Sequence, residues 1–247
     1  MLETLIGDMV HRISMKAVIL AGGYGTRLSE ETHLKPKPMV EIGGKPILWH
    51  IMKIYSHYGI NEFVICCGYK AELIQKYVQK LDEPWTVIPV DTGINTMTGG
   101  RLKLVKKYVE NETFCFTYGD TLNNVKIDEL VNFHFDKKVL ATVTACKPPE
   151  KYGLLKIENE KVIDFQEKPH MEEEWVNGGF FVLNPEVFDY IKDDSTVWEK
   201  EPMEKLTKDG QLSAYKHRGF YQPMDTISDK NYLEKLWHAN QASWKVW

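Results

Sequence analysis

The chain has 247 residues, 43% of them hydrophobic and 27% charged, and a formal net charge of −4. That length suits one large α/β domain with a substantial core, and the composition is ordinary for a globular protein. The acidic balance argues against nucleic acid as a partner, and no stretch is long and apolar enough to make a membrane one. An anionic substrate would then have to be gripped by local basic residues.

Residues 1–14 read as an N-terminal extension ahead of a domain that spans 15–247. Leu2, Leu5, Ile6, Met9, Val10 and Ile13 recur at helical spacing, so a short docking helix is the alternative to a segment with no role. Glu3 and Asp8 interrupt any signal-peptide core. The four cysteines, Cys66, Cys67, Cys115 and Cys146, lie in apolar strand-like runs and form no CxxC pair. They read as reduced core thiols of a cytoplasmic protein.

Ala17 to Ala21 has the length and β-branched content of a buried parallel strand. It stops at Gly22-Gly23, with Gly25 one residue further on. Glycines there can aim several backbone N–H groups at one anion. Arg27 adds a planar charged fork suited to phosphate oxygens. Lys35 and Lys37 follow, each before a proline that keeps the segment extended and fixes where the lysines point. Strand, glycine turn, arginine and rigid lysine form a polyphosphate grip. It is neither a Walker A loop, which ends in Gly-Lys-Ser/Thr, nor the dinucleotide fingerprint, whose glycine spacing differs.

Pro46 to Tyr58 is predicted helical, Phe63 to Gly68 a strand, Ala71 to Leu81 a helix and Trp85 to Val90 a strand. This βαβαβ rhythm implies a parallel sheet with the glycine turn at its carboxyl edge, where such sheets bind ligands. Asp91 to Arg101 is a polar loop with three glycines, and a helix is expected over Leu102–Val109. Arg101 is either a triphosphate contact or a surface charge. Phe114 to Tyr118 is a strand that delivers Gly119 and Asp120 to its end, a place suited to ligating Mg²⁺. Val139 to Cys146 is a strand, and a hairpin runs through Tyr152-Gly153 to Ile157 and back over Val162–Phe165. Asn177-Gly178-Gly179 feeds a strand to Leu183; the glycines permit close approach of a sugar ring, and Asn177 can both donate and accept. Trp198 to Leu206 is expected helical and Leu212 to Lys216 a strand. Asp225 then follows a proline turn. Asp128, Asp164 and Asp229 read as caps or solvated charges. Trp237, Trp244 and Trp247 are expected to pack on the body or on a neighbouring subunit.

The pattern L-A-G-G-x-G-T-R-L followed by P-K-P-M resembles the sugar-1-phosphate nucleotidylyltransferases. The run KPKPMVEIGGKPILW, Lys35 to Trp49, resembles their glucose-1-phosphate cytidylyltransferase branch, and the likeness extends from Met15 to Trp247. The resemblance implies a Rossmann-like, GT-A-like α/β fold, with a mixed, mostly parallel central sheet flanked by helices. Its sugar-binding half would begin near residue 140, and a helical tail would close the chain. It implies transfer of a cytidylyl group from CTP to α-D-glucose 1-phosphate, giving CDP-glucose and pyrophosphate, with Mg²⁺ as cofactor. The product would serve nucleotide-sugar and surface-polysaccharide (lipopolysaccharide O-antigen) biosynthesis. The implied enzyme is cytoplasmic and a homo-oligomer; a two-fold dimer, the commonest closed symmetry, with the tail tryptophans supplying part of the interface is expected, and a monomer whose tail folds back on its own domain is the alternative.

By the same resemblance, Arg27, Lys37 and Lys168 are catalytic. Leu20, Ala21, Gly22, Gly23, Gly25, Thr26, Thr92, Gly99, Gly100, Arg101 and Gly119 bind the nucleotide, with Gly99-Gly100 approaching the edge of the base. Tyr152, Gly153, Glu167, Lys168, Asn177 and Gly178 bind the sugar phosphate, and Asp120 and Asp225 hold the metal. Two departures stand out. Thr121 follows Asp120 where the family commonly has glycine. An insertion of the cytidylyltransferase branch, which contributes to subunit contacts near the nucleotide, is replaced by the direct link Lys80–Trp85. Base specificity and oligomer size therefore stay open. The same chemistry with another nucleoside triphosphate or another phosphorylated acceptor, and a non-catalytic sugar-nucleotide-binding regulatory protein, remain the alternatives.

Overall fold

The computed structural model describes residues 15–148, 154–166 and 174–247. The expected helix of 1–14, together with Tyr152, Gly153, Glu167 and Lys168, lies outside these residues.

Seven strands form the central sheet: β1 Lys16–Ala21, β2 Glu62–Cys67, β3 Thr86–Asp91, β4 Phe114–Tyr118, β5 Ala141–Cys146, β6 Val176–Leu183 and β7 Leu212–His217. Their spatial order is β7-β5-β6-β4-β1-β2-β3. The pairs β1/β2, β1/β4, β2/β3 and β5/β7 are parallel, and β6 runs antiparallel to both β4 and β5. The sheet is thus mixed and mostly parallel, as expected. β1 and β4 are neighbours although two strands separate them in sequence, so the order reverses between them. A crevice opens at such a reversal, outside the carboxyl ends of the strands. The turn after Ala21 and the loop after Tyr118 both emerge there.

Helices α1 Ile47–His57 and α2 Ala71–Val78 connect the first three strands, and α3 Thr98–Leu104 follows β3. Helix α4 Ile127–Lys137 precedes β5, while α5 Glu201–Lys208 and α6 Ile227–His238 flank β7. Two apolar clusters fill the two faces of the sheet. Ile19, Ile65 and Phe180 look into one, and Val18, Val64, Phe116 and Phe181 into the other. Period-2 alternation along strands covered on both faces produces this division.

Two boundaries differ from expectation. The helix expected from Leu102 begins at Thr98 and stops at Leu104, with a separate 3₁₀ turn over Lys106–Tyr108. Gly99 and Gly100 are therefore helical and buried. The helix expected from Trp198 begins at Glu201, because the Trp198 amide donates to Thr98 Oγ1 (2.9 Å) and Pro202 occupies the first turn.

The tail tryptophans pack on their own domain. Trp244 is fully buried and donates to His50 Nδ1 at 3.3 Å; the Trp237 ring lies 4.9 Å from the His50 ring, and Trp247 meets Trp49 edge-on at 5.6 Å. They are not the exposed apolar surface that the dimer expectation assigned to them. The four cysteines are buried and free, as expected. The link before β3 is itself well tied. Glu83 accepts from Trp49 Nε1 (2.8 Å) and Lys53 Nζ (3.2 Å), and Trp85 donates to Ser56 Oγ (2.9 Å). Among the described residues, no helix is long and apolar enough to cross a membrane.

Candidate active site

A cavity of about 750 Å³ occupies the switch-point crevice. Leu20, Ala21, Gly22, Gly23, Gly25, Thr26, Arg27, Lys37, Gly119, Asp120 and Asp225 all line it, so most of the predicted phosphate and metal residues converge.

Lys37 is the first residue of a 3₁₀ turn, Lys37–Met39, entered from the extended Pro36. The two prolines deliver its side chain inward, where only 9% of it stays exposed. Its Nζ lies 2.7 Å from Asp120 Oδ2 and 2.8 Å from Asp225 Oδ1. Burial works against the charge, but the two carboxylates overcome it and hold the ammonium pKa above its ordinary value. Arg27 Nη1 donates to the other Asp225 oxygen at 2.9 Å from a largely exposed position. Lys35 stands apart and pairs with Glu41 at 3.4 Å.

Local structure fixes both acids. Gly119 N donates to the Leu20 carbonyl at 2.8 Å, which ties the Asp120 loop to the end of β1. Thr121 opens a short strand, Thr121–Asn123, paired with Tyr221–Pro223, and its hydroxyl donates to Asp120 Oδ1 at 3.1 Å. The departure from glycine at 121 thus braces the carboxylate. Met224 N donates to the Asp120 carbonyl at 2.9 Å, bringing Asp225 alongside. Thr226 caps α6 in a capping box with Asp229, whose carboxylate also accepts from Asp225 N at 3.1 Å. Asp229 is the cap that its sequence position suggested.

The two carboxylates already converge on one point cation, the Lys37 ammonium. Among the described residues there is no group of three or more His, Cys, Asp or Glu that could hold a metal. Mg²⁺ needs no such group when phosphate oxygens and water complete its shell, so Asp120 and Asp225 fit it.

Four residues with predicted nucleotide roles have surroundings that the sequence does not disclose. Arg101 lines the cavity and is not the surface charge that its sequence position left as an alternative. It is 4% exposed, and its guanidinium donates to the carbonyls of Cys67 (3.1 Å), Gly93 (2.7 Å), Gly22 (3.1 Å) and Ile94 (3.3 Å) and to Thr92 Oγ1 (2.7 Å). It packs so closely on Gly22 that a Cβ there would sit 2.1 Å from Nη1. Thr92 is buried and donates to the Cys67 carbonyl. Gly99 and Gly100 pack against another backbone segment. Their amides donate to the Thr196 carbonyl at 2.9 and 3.2 Å, and a Cβ on Gly100 would lie 2.4 Å from the Asp194 carbonyl oxygen.

On the β6 side, Gly178 makes room for Cys146 Sγ, which a Cβ would meet at 2.4 Å. Asn177 Nδ2 donates to the Tyr118 hydroxyl at 3.1 Å, and the Gly179 amide fixes its Oδ1 at 2.9 Å. Sequence reasoning missed Tyr118, Thr98, Glu199 and Tyr221 in the cavity wall. The position of Tyr118 at the end of a strand was a usable signal; the others carry none.

The sequence profile of the nucleotidyl transferase family matches residues 16–243. The chain belongs to that family. Nucleotidyl transferases similar to it include glucose-1-phosphate cytidylyltransferase of Salmonella typhi, 52% identical over 94% of this chain and 100% of that one. The probable glucose-1-phosphate cytidylyltransferase of Bacillus subtilis is 44% identical over the same shares. Among solved structures, HddC from Yersinia pseudotuberculosis superposes with a TM-score of 0.71 at 25% identity, covering 90% of this chain and 99% of that one. The Salmonella alignment runs over 256 residues, more than the 94% of this chain that it covers, so the relative carries residues with no counterpart here.

Proposed function

We propose that this nucleotidyl transferase moves a cytidylyl group from CTP to α-D-glucose 1-phosphate. A phosphate oxygen of the sugar phosphate attacks the α-phosphorus, the bond to the β-phosphate's bridging oxygen breaks, and pyrophosphate leaves with CDP-glucose as the second product. The high identity to named glucose-1-phosphate cytidylyltransferases over nearly the whole chain supports the substrates. The observation that carries the chemistry is the Lys37 ammonium held between Asp120 and Asp225 at the switch point.

Such transfer needs alignment and charge neutralisation more than covalent chemistry. The Gly22, Gly23 and Gly25 amides and Arg27 hold the leaving β- and γ-phosphates, with Leu20, Ala21 and Thr26 shaping the turn. Lys37 reaches the phosphates of both substrates. Asp120 and Asp225 hold Mg²⁺, which neutralises charge on the α-phosphate. Lys168 anchors the incoming phosphate, and Glu167, Tyr152, Gly153, Asn177 and Gly178 shape the sugar side. The enzyme acts in the cytoplasm as a homo-oligomer, in nucleotide-sugar supply for surface polysaccharide.

One observation favours keeping a second specificity in view. The link Gln79–Trp85 is short and tied down by Glu83 and Trp85, and we place the relatives' extra residues there. Another nucleoside triphosphate, or another acceptor, is then the competing reading. A non-catalytic binding protein is disfavoured by retention of both carboxylates. Pyrophosphate release with each of the four ribonucleoside triphosphates and dTTP, plus glucose 1-phosphate and Mg²⁺, separates these. Turnover with CTP alone is expected; preference for another base overturns the assignment, and no turnover with any sugar 1-phosphate overturns the chemistry.

A further inference from the structure

The cavity contains a carboxylate for which the reaction above has no task. Glu199 is exposed to the cavity from the segment that precedes α5. Its Oε1 accepts from the Tyr118 hydroxyl and its Oε2 from the Thr98 hydroxyl, each at 2.6 Å. Among the described residues it forms no ion pair. An unpaired carboxylate in a cavity built for polyphosphate repels the charged parts of both substrates. Its place suits neutral hydrogen-bond donors.

The bonding around it has a fixed direction. Asn177 Nδ2 donates to the Tyr118 oxygen, so the Tyr118 proton is free to go to Glu199. Burial, with Glu199 alongside, pushes the Tyr118 pKa up and keeps that proton on. Glu199 is the acceptor in both of its bonds. A carboxylate has about four lone-pair sites, and the two hydroxyls take two. The remaining acceptor positions suit a ligand rich in hydroxyls. Tyr118 lies at the end of β4, the strand beside β6, so the chain Asn177–Tyr118–Glu199 stands on the β6 side, which the proposed function gives to the sugar. The other flank of Glu199 is anchored through Thr98, and neighbouring backbone bonds, Met97 N to Asp194 O and Gly99 N to Thr196 O, both 2.9 Å, hold the two segments together.

We propose that Glu199 is a specificity-determining residue that reads hydroxyl groups of the acceptor's hexose ring. This rests on the sugar 1-phosphate reading above. Glu199→Gln is nearly isosteric and keeps an oxygen for one of the two protein hydroxyls, so a melting temperature near that of the parent is expected. Steady-state kinetics of that variant should raise KM for glucose 1-phosphate about tenfold or more, the scale of one charge-assisted hydrogen bond, and leave KM for CTP within about twofold. Discrimination between glucose 1-phosphate and its galacto and manno epimers should shrink. Calorimetry adds a readout that needs no turnover: the variant should bind CDP like the parent and lose the extra affinity that the parent has for CDP-glucose. A raised KM for CTP with unchanged sugar KM would instead put Glu199 at the nucleoside, and no change in either would make it a brace for Tyr118 and Thr98; both overturn the proposal. Should the parent enzyme fail to use CTP, calorimetry with glucose 1-phosphate against inorganic phosphate still decides the role of Glu199. Equal loss of affinity for both anions in the variant refutes it.

Discussion

Arg101 Nη2 donates to the Gly22 carbonyl at 3.1 Å while Nη1 donates to that of Gly93 at 2.7 Å. One side chain therefore joins the phosphate turn after β1 to the loop after β3. Arg101→Met removes five hydrogen bonds at once and leaves the Gly93 and Ile94 carbonyls without this donor, while the Cys67 and Gly22 carbonyls keep the Thr92 and Tyr69 amides. A loss of about 2–4 kcal/mol is expected from the cost of unmade buried hydrogen bonds, read by urea unfolding. KM for the nucleotide should rise as well, because both loops lose their brace. Arg101→Lys should recover little, since an ammonium cannot replace a planar fork with five donors.

Lys37 keeps Asp120 and Asp225 together. In Lys37→Met the two acids face each other with only Arg27 to offset them, and turnover should fall by about 10²-fold or more. Melting curves without nucleotide give the sharper test. Millimolar Mg²⁺ should raise the melting temperature of Lys37→Met more than that of the parent, because the parent already has a cation in place. Equal responses in the two proteins would mean that the acids do not share one cation position.

Arg27 is the contrasting case. Its side chain is 72% exposed, and its bond to Asp225 is an exposed ion pair. Such pairs contribute about 0–1 kcal/mol, so Arg27→Ala should keep parent-like stability. Turnover should still drop by about 10²-fold if, as proposed, Arg27 faces the leaving phosphates. Denaturation and initial-rate measurements on one preparation check both halves.

His50 is buried under the tail indoles, with Nε2 2.8 Å from the Ile42 carbonyl. Burial is the main cause that brings its pKa down to about 4, and nearby Lys245 and Lys45 act in the same direction. A histidine at 6.5 in the unfolded chain takes up its proton there first. Stability from this group is complete above about pH 6.5 and is lost as pH falls to about 4, amounting to about 3 kcal/mol. His134 and His217 are also lowered by burial and add to the same slope. Urea midpoints at pH 7.5 and 5 should show the fall, and His50→Gln should flatten part of it.

The strands, the glycine turn, Lys37, Asp120 and Asp225 were legible because each depends on neighbours in sequence: an apolar run, a proline on either side, an acid at a strand end. The surroundings of Arg101, Gly99 and Gly100 were not legible because their partners lie far away. A buried arginine satisfied by carbonyls has the same sequence surroundings as an exposed one, and the need for glycine at 100 is set by the backbone of Asp194. Glu199 was hidden in a stretch whose apolar spacing continued into α5. Trp244 carried a real signal of burial, but its partner, His50, is 194 positions earlier.

That last separation has a consequence for biosynthesis. The cluster around Ile42, Ile47, Leu48 and Ile51 contains Met224, Leu233 and Trp244. On a ribosome that releases its product from the N-terminus, the first-made half emerges with a gap where those side chains belong, and Lys37 emerges without Asp225. Closure of that core and assembly of the cation–carboxylate cluster must both wait for the segment from Met224 to Trp247. A nascent chain stalled before residue 225 should therefore be protease-sensitive along its whole exposed length, and resistance should arrive abruptly rather than strand by strand.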